Sequence, residues 1–387
     1  MRLELDDEQM LLKRTAEDFS RNELEPFLAR FPEAPLPRDA VFELMRMVKP
    51  FGILSARLPR DAGGTQMPHV ALGLLYEAFP AEVSLGVSSN DVLGLRLHSG
   101  GSTELKERYL PPLIEGEIMA GSCISEPDAG SDITSIGTRA TSIDGDRMVV
   151  NGSKVWSSHA SIADVLLVAV SGGKDERGRS IVSRLLVDTR ETDPSSIITR
   201  DLEMIGLKRH HLCEVTFVDC VVPRDNLVGD EGDGVKMFTL SWLSQRAVLG
   251  LIAVHLAQEA LSLCIDYVKQ RRQFGRAIGT FQLIQAHVVD MATLVETARY
   301  LCYKALYLLD QGQPARLESS MAKFYATEAA VKVTNLAVQV HGAIGLSCEH
   351  RLEKLLRDAR MLTVPDGTTE IQKLMVGREL LGLNAIR

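Results

Sequence analysis

The sequence predicts an α+β protein with a helical domain, a small β domain and a helical bundle, in that order. Three observations lead to this fold class. Apolar residues recur at helical spacing in the first third of the chain, short β-rich runs separated by turns fill the middle, and long helical patterns follow. We place the domain limits where the pattern changes, which gives 1–119, 120–233 and 234–387.

The first domain is predicted to consist of helices. Asp6 or Asp7 can cap the first helix, because a carboxylate there accepts hydrogen bonds from N–H groups at the helix start. Pro111, Pro112 and Gly116 interrupt helical patterns, and we expect them to end this part of the chain. The further helical patterns lie at 39–48, 68–79, 91–97 and 103–110.

The middle domain is predicted to be a small antiparallel β-barrel or sandwich. The residues IDGDR at 143–147 have the composition of a turn and separate two β-rich runs, at 136–143 and 148–155. Several short strands at this spacing are typical of small closed β domains. Further β-rich runs lie at 165–170, 181–187 and 214–218.

The last domain is predicted to be an antiparallel four-helix bundle. Residues 234–270 contain no proline and form one long helical pattern. Helices with wide apolar faces also build subunit interfaces, so we expect an oligomer. The other helical patterns lie at 280–309, 314–340, 350–360 and 370–381.

Charge and composition argue against a nucleic-acid-binding protein. The chain has 51 acidic and 43 basic residues, so its net charge of −8 predicts no broad basic surface. Residues 1–10 lack the basic and apolar segments of a secretion signal. The apolar stretches at 165–170 and 247–254 are shorter than the ~20 residues of a membrane helix, so no membrane insertion is expected.

The cysteines predict free buried thiols in a reducing, cytoplasmic environment. None forms a CxxC pair, and their spacing is too wide for a zinc site or a small disulfide framework. His210 and His211 are adjacent but have no third ligand nearby, so we expect no metal site. The six cysteines lie at 123, 213, 220, 264, 302 and 348.

Two motifs in the β domain have the composition of a binding site for a flat, polar ligand. The turn CISEPDAGSD at 123–132 offers hydroxyls and backbone N–H groups. In NGSKVWSSHA at 151–160, Trp156 offers a face for stacking and the neighbouring serines offer hydrogen bonds. Taken singly, the first motif is equally consistent with an ordinary surface turn and the second with a core tryptophan.

Three motifs in the last domain complete the pattern. The arginines of RRQFGRAI at 271–278 can clamp a pyrophosphate or simply end a helix. The stretch QVHGAIG lies at 339–345, and RDARMLTVPDGTTEIQ lies at 357–372. Thr368 stands at the start of the last helix, where N–H groups bind polar ligand atoms, while Asp366 can also be a turn residue.

In this order the motifs resemble those of the acyl-CoA dehydrogenase family of flavoproteins, over the whole chain. The resemblance rests on CISEPDAGSD, NGSKVW, MIGLKRHHLCEVTFVDCVVPRDNLVG, RRQFG, QVHGAIG and DGTTEIQ. It implies the domain order predicted above, an FAD cofactor and an acyl-CoA substrate. It also implies a homotetramer that passes electrons to an electron-transferring flavoprotein.

The resemblance further implies roles for individual residues of the β domain. Ile124 and Ser125 are expected to contact the flavin ring, and Ser131 the flavin or the substrate. Trp156 and Ser158 are expected to cover the other side of the isoalloxazine.

In the last domain the resemblance implies that Arg246 lies near the CoA moiety. Thr368 and Glu370 are expected to contact the pyrophosphate region of FAD. The residues expected to reach the FAD of a neighbouring subunit are Arg271, Phe274, Gln282, Gln339 and Gly342.

The chain departs from the family at the catalytic base. The family reaction removes a proton from Cα and a hydride from Cβ of the thioester, which requires a carboxylate at Cα. Most members have Glu where this chain has Asp366, and another branch has Glu where it has Gln245, which cannot act as a base. Aspartate is ~1.5 Å shorter than glutamate, so Asp366 is a weak base, a repositioned base or a turn residue.

Asp91, in VSSNDVLGLRLH, is a second candidate base in the helical domain, although it can also cap a helix after 88–90. A substrate with a double bond at Cα has no α proton, and its acidic proton lies on the γ carbon. A base moved along the substrate fits such a 1,4-elimination. The chain therefore resembles the alicyclic acyl-CoA dehydrogenase branch, with cyclohex-1-ene-1-carboxyl-CoA as an example of a substrate.

Three functions stay open on the sequence. The first is 1,4-dehydrogenation of an alicyclic unsaturated acyl-CoA with Asp91 as base. The second is ordinary α,β-dehydrogenation of a saturated branched or cyclic acyl-CoA with Asp366 as base. The third is a catalytically silent partner subunit of an active homologue.

Overall fold

Helices form both ends of the chain and strands form the middle, which confirms the predicted fold class. The computed structural model describes residues 5–385, without the side chains of Met237, Thr239 and Leu240. The N-terminal helices are α1 (Asp7–Phe19), α2 (Glu25–Ala29), α3 (Arg38–Val48), α4 (His69–Ala78), α5 (Ala81–Gly100) and α6 (Thr103–Glu115). At the start of α1, the Asp6 side chain accepts a hydrogen bond from the backbone of Gln9, so the predicted cap is confirmed.

Two details of the first domain correct the sequence analysis. Because α5 begins at Ala81, Asp91 lies inside this helix and is not its cap. The other helix, α6, continues through Pro111 and Pro112 and ends at Gly116, which has φ 69°. The carbonyls that lose a donor to these prolines belong to exposed residues, so water can bind them and the helix tolerates the prolines.

The β domain is one sheet that curves around its own apolar core. It consists of β1 (Ala120–Cys123), β2 (Arg139–Ser142), β3 (Arg147–Ser158), β4 (Val165–Lys174), β5 (Ser180–Asp188), β6 (Ile197–Asp201) and β7 (Leu212–Pro223). Most pairs are antiparallel, but β4 runs parallel to both β1 and β2, which corrects the expectation of a purely antiparallel domain. The sequence pattern identifies strands but not their neighbours, and this is why the parallel pairs were not predicted.

The C-terminal part is a helical bundle with a short hairpin at one end. Its elements are α7 (Gly234–Gln270), β8 (Arg272–Gln273), β9 (Arg276–Ala277), α8 (Gln282–Asp310), α9 (Arg316–His341), α10 (Arg351–Met361) and α11 (Thr369–Leu381). The bounds of α7 are those that the sequence predicts. This helix packs against α8 and α9 of the bundle and also against α4 and α5 of the first domain, so it joins the two helical parts.

The length and composition of α7 would suffice for a membrane span, contrary to the expectation from its shorter apolar stretches. Its most apolar window has a mean hydropathy of 1.8, and 67% of that window is buried inside the protein. Burial of this kind is typical of the central helix of a folded bundle, whose apolar side chains pack against other helices.

Five of the six cysteines are buried, whereas Cys348 is exposed, which corrects the expectation that all of them are buried. All six are free thiols, so the fold is held by packing and polar contacts and not by disulfides. Cys348 lies in the loop before α10, where no other element covers it.

Gly206 lies where the β domain meets the bundle. A Cβ atom at this position would lie 2.4 Å from the carbonyl oxygen of Arg357, in α10. The next residue, Leu207, donates its backbone N–H to the carboxylate of Asp358 at 2.6 Å. A side chain at 206 would therefore push backbone against backbone and separate the two elements.

We expect Gly206→Ala to lower the free energy of unfolding by about 1–3 kcal/mol, because overpacking at a backbone contact cannot be relieved by a rotamer change. Gly172→Ala is the matched control, since a Cβ at this exposed glycine meets no atom within 4 Å. Urea unfolding of both variants, saturated with cofactor, measures the difference. Equal unfolding midpoints for the two variants would show that the contact at 206 accommodates a Cβ atom without loss of stability.

Candidate active site

Asp91 is fully buried inside α5 and pairs with Arg57. One carboxylate oxygen accepts a hydrogen bond from the backbone N–H of Arg57 at 2.9 Å, and the other accepts one from its guanidinium. An isolated carboxylate at such a place would be very costly, so the pair and its hydrogen bonds are what allow the charge to be buried. Asp91 is thus held in one position.

The Arg57 guanidinium also connects Asp91 to α7. Its Nε donates to the Ser244 hydroxyl at 2.9 Å, and Nη2 donates to the side-chain oxygen of Gln245 at 3.0 Å. One planar cation therefore joins the two positions that the sequence analysis discussed as sites for a base, 91 and 245. Because glutamine is neutral, Asp91 is the carboxylate of this cluster.

The charges of this cluster shift the pKa values of its members. Burial alone would lower the pKa of Arg57, but the negative charge of Asp91 outweighs it and the pKa is raised. The Tyr76 hydroxyl lies beside the same pair, and burial raises the pKa of Tyr76 to about 12. Arg57 is therefore a permanent cation and Tyr76 a neutral phenol over the whole physiological pH range.

Asp366, the second predicted base, lies on the turn before α11 with φ 54°, a left-handed conformation that is uncommon for aspartate. Its carbonyl oxygen accepts hydrogen bonds from Gln372 Nε2 at 2.8 Å and from Arg246 Nε at 3.4 Å. Arg246 is 4% exposed, and its guanidinium lies over the Trp242 ring. The predicted substrate-binding arginine and the predicted base are therefore neighbours.

Lys323 of α9 also binds the turn that carries Asp366. It is fully buried, and its ammonium donates to the carbonyl oxygens of Thr363 and Gly367, both at 2.8 Å. Burial lowers the pKa of Lys323 to about 8, and the nearby charge of Asp366 opposes this shift. The backbone on both sides of Asp366 is thus fixed, which maintains the left-handed conformation.

Arg96 is a third buried arginine, one and a half turns after Asp91 in α5. It donates to the hydroxyl of Ser241 in α7 and, at 3.1 Å, to the hydroxyl of Ser122 in β1. Burial lowers the pKa of Arg96 to about 9, the charges of two other arginines add to this shift, and Asp366 opposes it. Arg96 lies close enough to Asp366 for their charges to interact, so it belongs to the same site.

The residues expected to hold the flavin ring lie together where β1 and β3 end. The carbonyl oxygen of Ser125 accepts the N–H of Val155 at 2.9 Å, which attaches the loop after β1 to β3. Trp156 lies within a break in the β3–β7 register, has φ 61° and is 55% exposed. Ser158 is half-buried, and its hydroxyl lies 3.3 Å from His210 Nε2.

This arrangement fits the isoalloxazine of FAD. The Trp156 indole leaves a large face exposed, with hydroxyl and backbone groups around it. Its backbone has a positive φ, a conformation that tryptophan rarely adopts. Ile124 is half-buried beside these groups, and Ser131 is exposed at the rim of the loop. A flat aromatic ligand with polar edges matches such a surface.

A buried ion pair stabilises this loop. Lys154 of β3 is 1% exposed and donates to the Glu126 carboxylate at 2.7 Å and to the Ile124 carbonyl at 3.1 Å. The same carboxylate accepts the N–H groups of Gly137 and Thr138 at 2.6 and 2.9 Å. The two ends of the 124–138 loop are therefore fastened together.

The remaining predicted residues lie in the C-terminal bundle, at two separate places. Thr368 caps α11 and Glu370 is exposed in its first turn, so both stand beside Asp366. The residues predicted to serve a neighbouring subunit are all exposed, at the end where α7 and α9 finish and α8 begins: Arg271, Phe274, Gln282, Gln339 and Gly342. Along α7, Arg271 is ~37 Å from Arg246 at 1.5 Å per residue, so one chain does not bring both sets together.

Sequence reasoning missed Arg57, Arg96, Lys154 and Lys323. A basic residue at an apolar position of a helical or β pattern is the signal that could have identified Arg96, Lys154 and Lys323. Arg57 lies in an irregular segment without such a pattern, and only the folded chain brings it to Asp91.

Models of the acyl-CoA dehydrogenase domains match almost the whole chain. The N-terminal domain model matches residues 6–117, the middle domain model 121–220 and the C-terminal domain model 232–381. The three models follow one another in the order in which the structure places the helical domain, the sheet and the bundle.

Curated relatives are similar over their full length. A probable acyl-CoA dehydrogenase, YngJ, of Bacillus subtilis is 32% identical over 98% of this chain and 100% of its own length. Benzylmalonyl-CoA dehydrogenase of Aromatoleum aromaticum is 32% identical over 98% and 100%. Cyclohex-1-ene-1-carbonyl-CoA dehydrogenase of Geobacter metallireducens is 33% identical over 97% and 99%.

Solved structures share the complete fold. Butyryl-CoA dehydrogenase from Megasphaera elsdenii superposes with a TM-score of 0.90 at 28% identity, over 98% of this chain and 100% of its own. A chain in a structure of the electron transferring flavoprotein of Acidaminococcus fermentans gives 0.89 at 28%, over 98% and 100%. PigA with FAD and proline gives 0.89 at 26%, over 98% and 99%.

We expect Arg57→Met to lower the free energy of unfolding by about 3–5 kcal/mol, because it leaves the Asp91 carboxylate buried without its partner. Lys49→Met is the control, since the ion pair of Lys49 with Glu115 is exposed and its loss costs less than about 1 kcal/mol. Chemical unfolding at neutral pH measures both. If Arg57→Met is no less stable than Lys49→Met, the pair does not support the site.

Proposed function

Since the chain belongs to the acyl-CoA dehydrogenase family of FAD-dependent oxidoreductases, we propose that it oxidises an alicyclic acyl-CoA that is already unsaturated at Cα. Cyclohex-1-ene-1-carboxyl-CoA is the model substrate, and the reaction is a 1,4-dehydrogenation with Asp91 as the base. The relative from Geobacter metallireducens, which is named for the same acyl group, supports this substrate class.

The observation that carries the proposal is the position of the buried carboxylate. Residue 245, where a branch of the family has its glutamate, is a neutral glutamine here, and the Arg57 guanidinium connects it directly to Asp91. The negative charge therefore lies on the other side of the Arg57 guanidinium from residue 245, inside α5 of the first domain. A base moved in this way meets the substrate at a carbon further from the thioester.

The 1,4-dehydrogenation requires a base that lies further from the thioester. In a ring with a double bond between the α and β carbons, the proton leaves the γ carbon and its bonding pair forms a β,γ double bond. The original double bond shifts to join the α carbon to its other ring neighbour, from which a hydride leaves. FAD, when bound, supplies the acceptor for that hydride.

The other residues of the site bind and orient. Arg57 holds the Asp91 carboxylate through two hydrogen bonds, and the burial of both groups keeps water away from the proton transfer. We assign the flavin ring to four residues of the β domain: Ile124, Ser125, Trp156 and Ser158. Further groups are assigned to the cofactor and CoA by the family resemblance: Ser131, Arg246, Thr368 and Glu370.

Asp366 carries the second candidate function, α,β-dehydrogenation of a saturated branched or cyclic acyl-CoA. In that reaction Asp366 would take the proton from Cα. The observation that favours it is the fixed turn around this residue, where Lys323 and Gln372 bind the carbonyl oxygens of Gly367 and Asp366. A turn held so firmly in a left-handed conformation is typical of a functional position.

Assembly and electron transfer form the remaining part of the proposal. We infer a cytoplasmic homotetramer in which the exposed residues around Phe274 complete the FAD site of a neighbouring subunit, with an electron-transferring flavoprotein as acceptor. The similarity to a chain in an electron transferring flavoprotein structure supports the acceptor. A silent partner subunit is the alternative, and a purified chain that retains FAD and oxidises an acyl-CoA excludes it.

We expect Asp91→Asn to slow anaerobic flavin reduction by cyclohex-1-ene-1-carboxyl-CoA by about 10²–10⁴-fold, the usual contribution of a general base. Asp366→Asn makes the same chemical change on the other side of the site, and we expect its rate to stay within about tenfold of the parent. Stopped-flow bleaching of the flavin measures both rates. FAD content and the unfolding midpoint serve as checks that each variant is folded.

The opposite ranking of the two variants would replace the proposal by the second candidate function. In that case a saturated acyl-CoA bleaches the flavin, and Asp366→Asn abolishes the reaction. A panel of saturated and cyclic unsaturated thioesters therefore distinguishes the two reactions without relying on the variants alone.

We expect Phe274→Ser to weaken FAD retention without unfolding the subunit, because this side chain is 92% exposed in the single chain and contributes little to its core. Leu11→Ser is the control, since Leu11 is also exposed, at 60%, but lies in α1. Equilibrium dialysis measures the FAD affinity, and sedimentation measures the mass. Unchanged FAD binding in the Phe274 variant would mean that no neighbouring subunit contributes this residue.

A further inference from the structure

Arg96 is a buried cation whose hydrogen-bond partners are neutral. It is 6% exposed, and its guanidinium binds the hydroxyls of Ser241 and Ser122. Among residues 5–385, no carboxylate forms an ion pair with it. A charge buried in this way is costly, because hydroxyls do not balance it.

Two other arginines of the chain, with side chains 4% and 15% exposed, do have an acidic partner. Arg57 pairs with Asp91, and Arg299 donates from Nε to the Glu77 carboxylate at 2.6 Å. Those pairs hold helices together within the protein. Arg96 is about as buried as Arg57 but has only hydroxyl partners, which leaves its charge available to an anion that is not part of the chain.

The surroundings of Arg96 favour an anion. Burial lowers the pKa of Arg96, and the positive charges of Arg184 and Arg57 lower it further, while Asp366 is the one negative charge that opposes them. The guanidinium of Arg96 lies over the Phe238 ring, 4.9 Å from its centre, and this contact fixes the plane of the guanidinium. A planar, oriented guanidinium is suited to bind a carboxylate with two hydrogen bonds.

The position of Arg96 places this anion in the acyl part of the site. Ser241, which binds Arg96, and Gln245, which binds Arg57, lie four residues apart on α7, so they share one face with ~6 Å between them along the helix. Asp91 and Arg96 also belong to the same helix, α5. Arg96 also lies close enough to Arg57 for their charges to interact, so a group bound by Arg96 lies in the same site as the Arg57–Asp91 pair.

We propose that Arg96 binds a second carboxylate on the acyl group, so that the substrate is the CoA thioester of a dicarboxylic acid. This inference rests on the proposed acyl-CoA dehydrogenase function, but it does not depend on which aspartate is the base. For the alicyclic class, it means a cyclohexene ring that bears a carboxylate in addition to the thioester. Ser122 and Ser241 orient the guanidinium toward that group.

The test compares matched acyl-CoAs by their binding to the FAD-loaded enzyme. One pair is 4-carboxycyclohex-1-ene-1-carboxyl-CoA and its neutral 4-methyl counterpart, and the other is glutaryl-CoA and pentanoyl-CoA. The change of the flavin absorption spectrum under anaerobic conditions gives the dissociation constant. We expect the carboxylated member of at least one pair to bind about 10- to 100-fold more tightly, as one charge-assisted contact provides.

The variants assign that preference to Arg96. We expect Arg96→Gln to remove it by weakening only the carboxylated member, and Arg96→Lys to keep part of it. Arg46→Gln, on the exposed side of α3, is the control and leaves the preference unchanged. FAD affinity is measured in parallel, because a guanidinium that serves the flavin would affect the cofactor and not the choice of acyl group.

Three results would overturn the inference: no preference for a carboxylate in the parent enzyme, equal weakening of both members in Arg96→Gln, or loss of FAD from that variant. The first comparison needs no variant, so a folding defect cannot hide the answer. Failure of the proposed reaction looks different, because spectral binding is then seen without flavin reduction by the cyclohexene thioesters.

Discussion

The buried ion pair between Arg57 and Asp91 is the interaction on which the rest of the site depends. It places a negative charge inside α5, where water does not reach, and the same guanidinium binds Ser244 and Gln245 of α7. The first domain and the bundle are thereby fixed to each other at Arg57. Breaking such a pair leaves an uncompensated charge, so the position of Asp91 and the closure of the two domains are coupled.

A second set of buried cations shapes the opposite side of the site. Lys323 and Arg246 hold the turn that carries Asp366, and Arg96 lies between this turn and the sheet. Each of these side chains has a pKa below its ordinary value because burial disfavours the charge. The site therefore combines two carboxylates with several desolvated cations.

Local patterns predicted much of this structure. Proline-free helical periodicity located α7 to the residue, Asp6 or Asp7 as a cap marked the start of α1, and turn composition separated β2 from β3. The mixed sheet and the passage of α6 through its prolines were not predicted, because strand neighbours and access of water to carbonyls are properties of the folded chain. Similar limits apply to the site. Asp91 and Asp366 were visible as acids at unusual positions, whereas their partners were not.

The sequence by itself determined the fold class, the family and the loss of glutamate from both usual positions of the base, because ordered motifs and residue identity are local information. Tertiary structure alone decided that Asp91 is a buried ion-paired group and not a helix cap, that Gln245 is connected to it, and that Arg96 has only hydroxyl partners. The reason is physical: each of these statements concerns desolvation and contact between residues far apart in the chain, and the free energy of a charge depends on what surrounds it after folding.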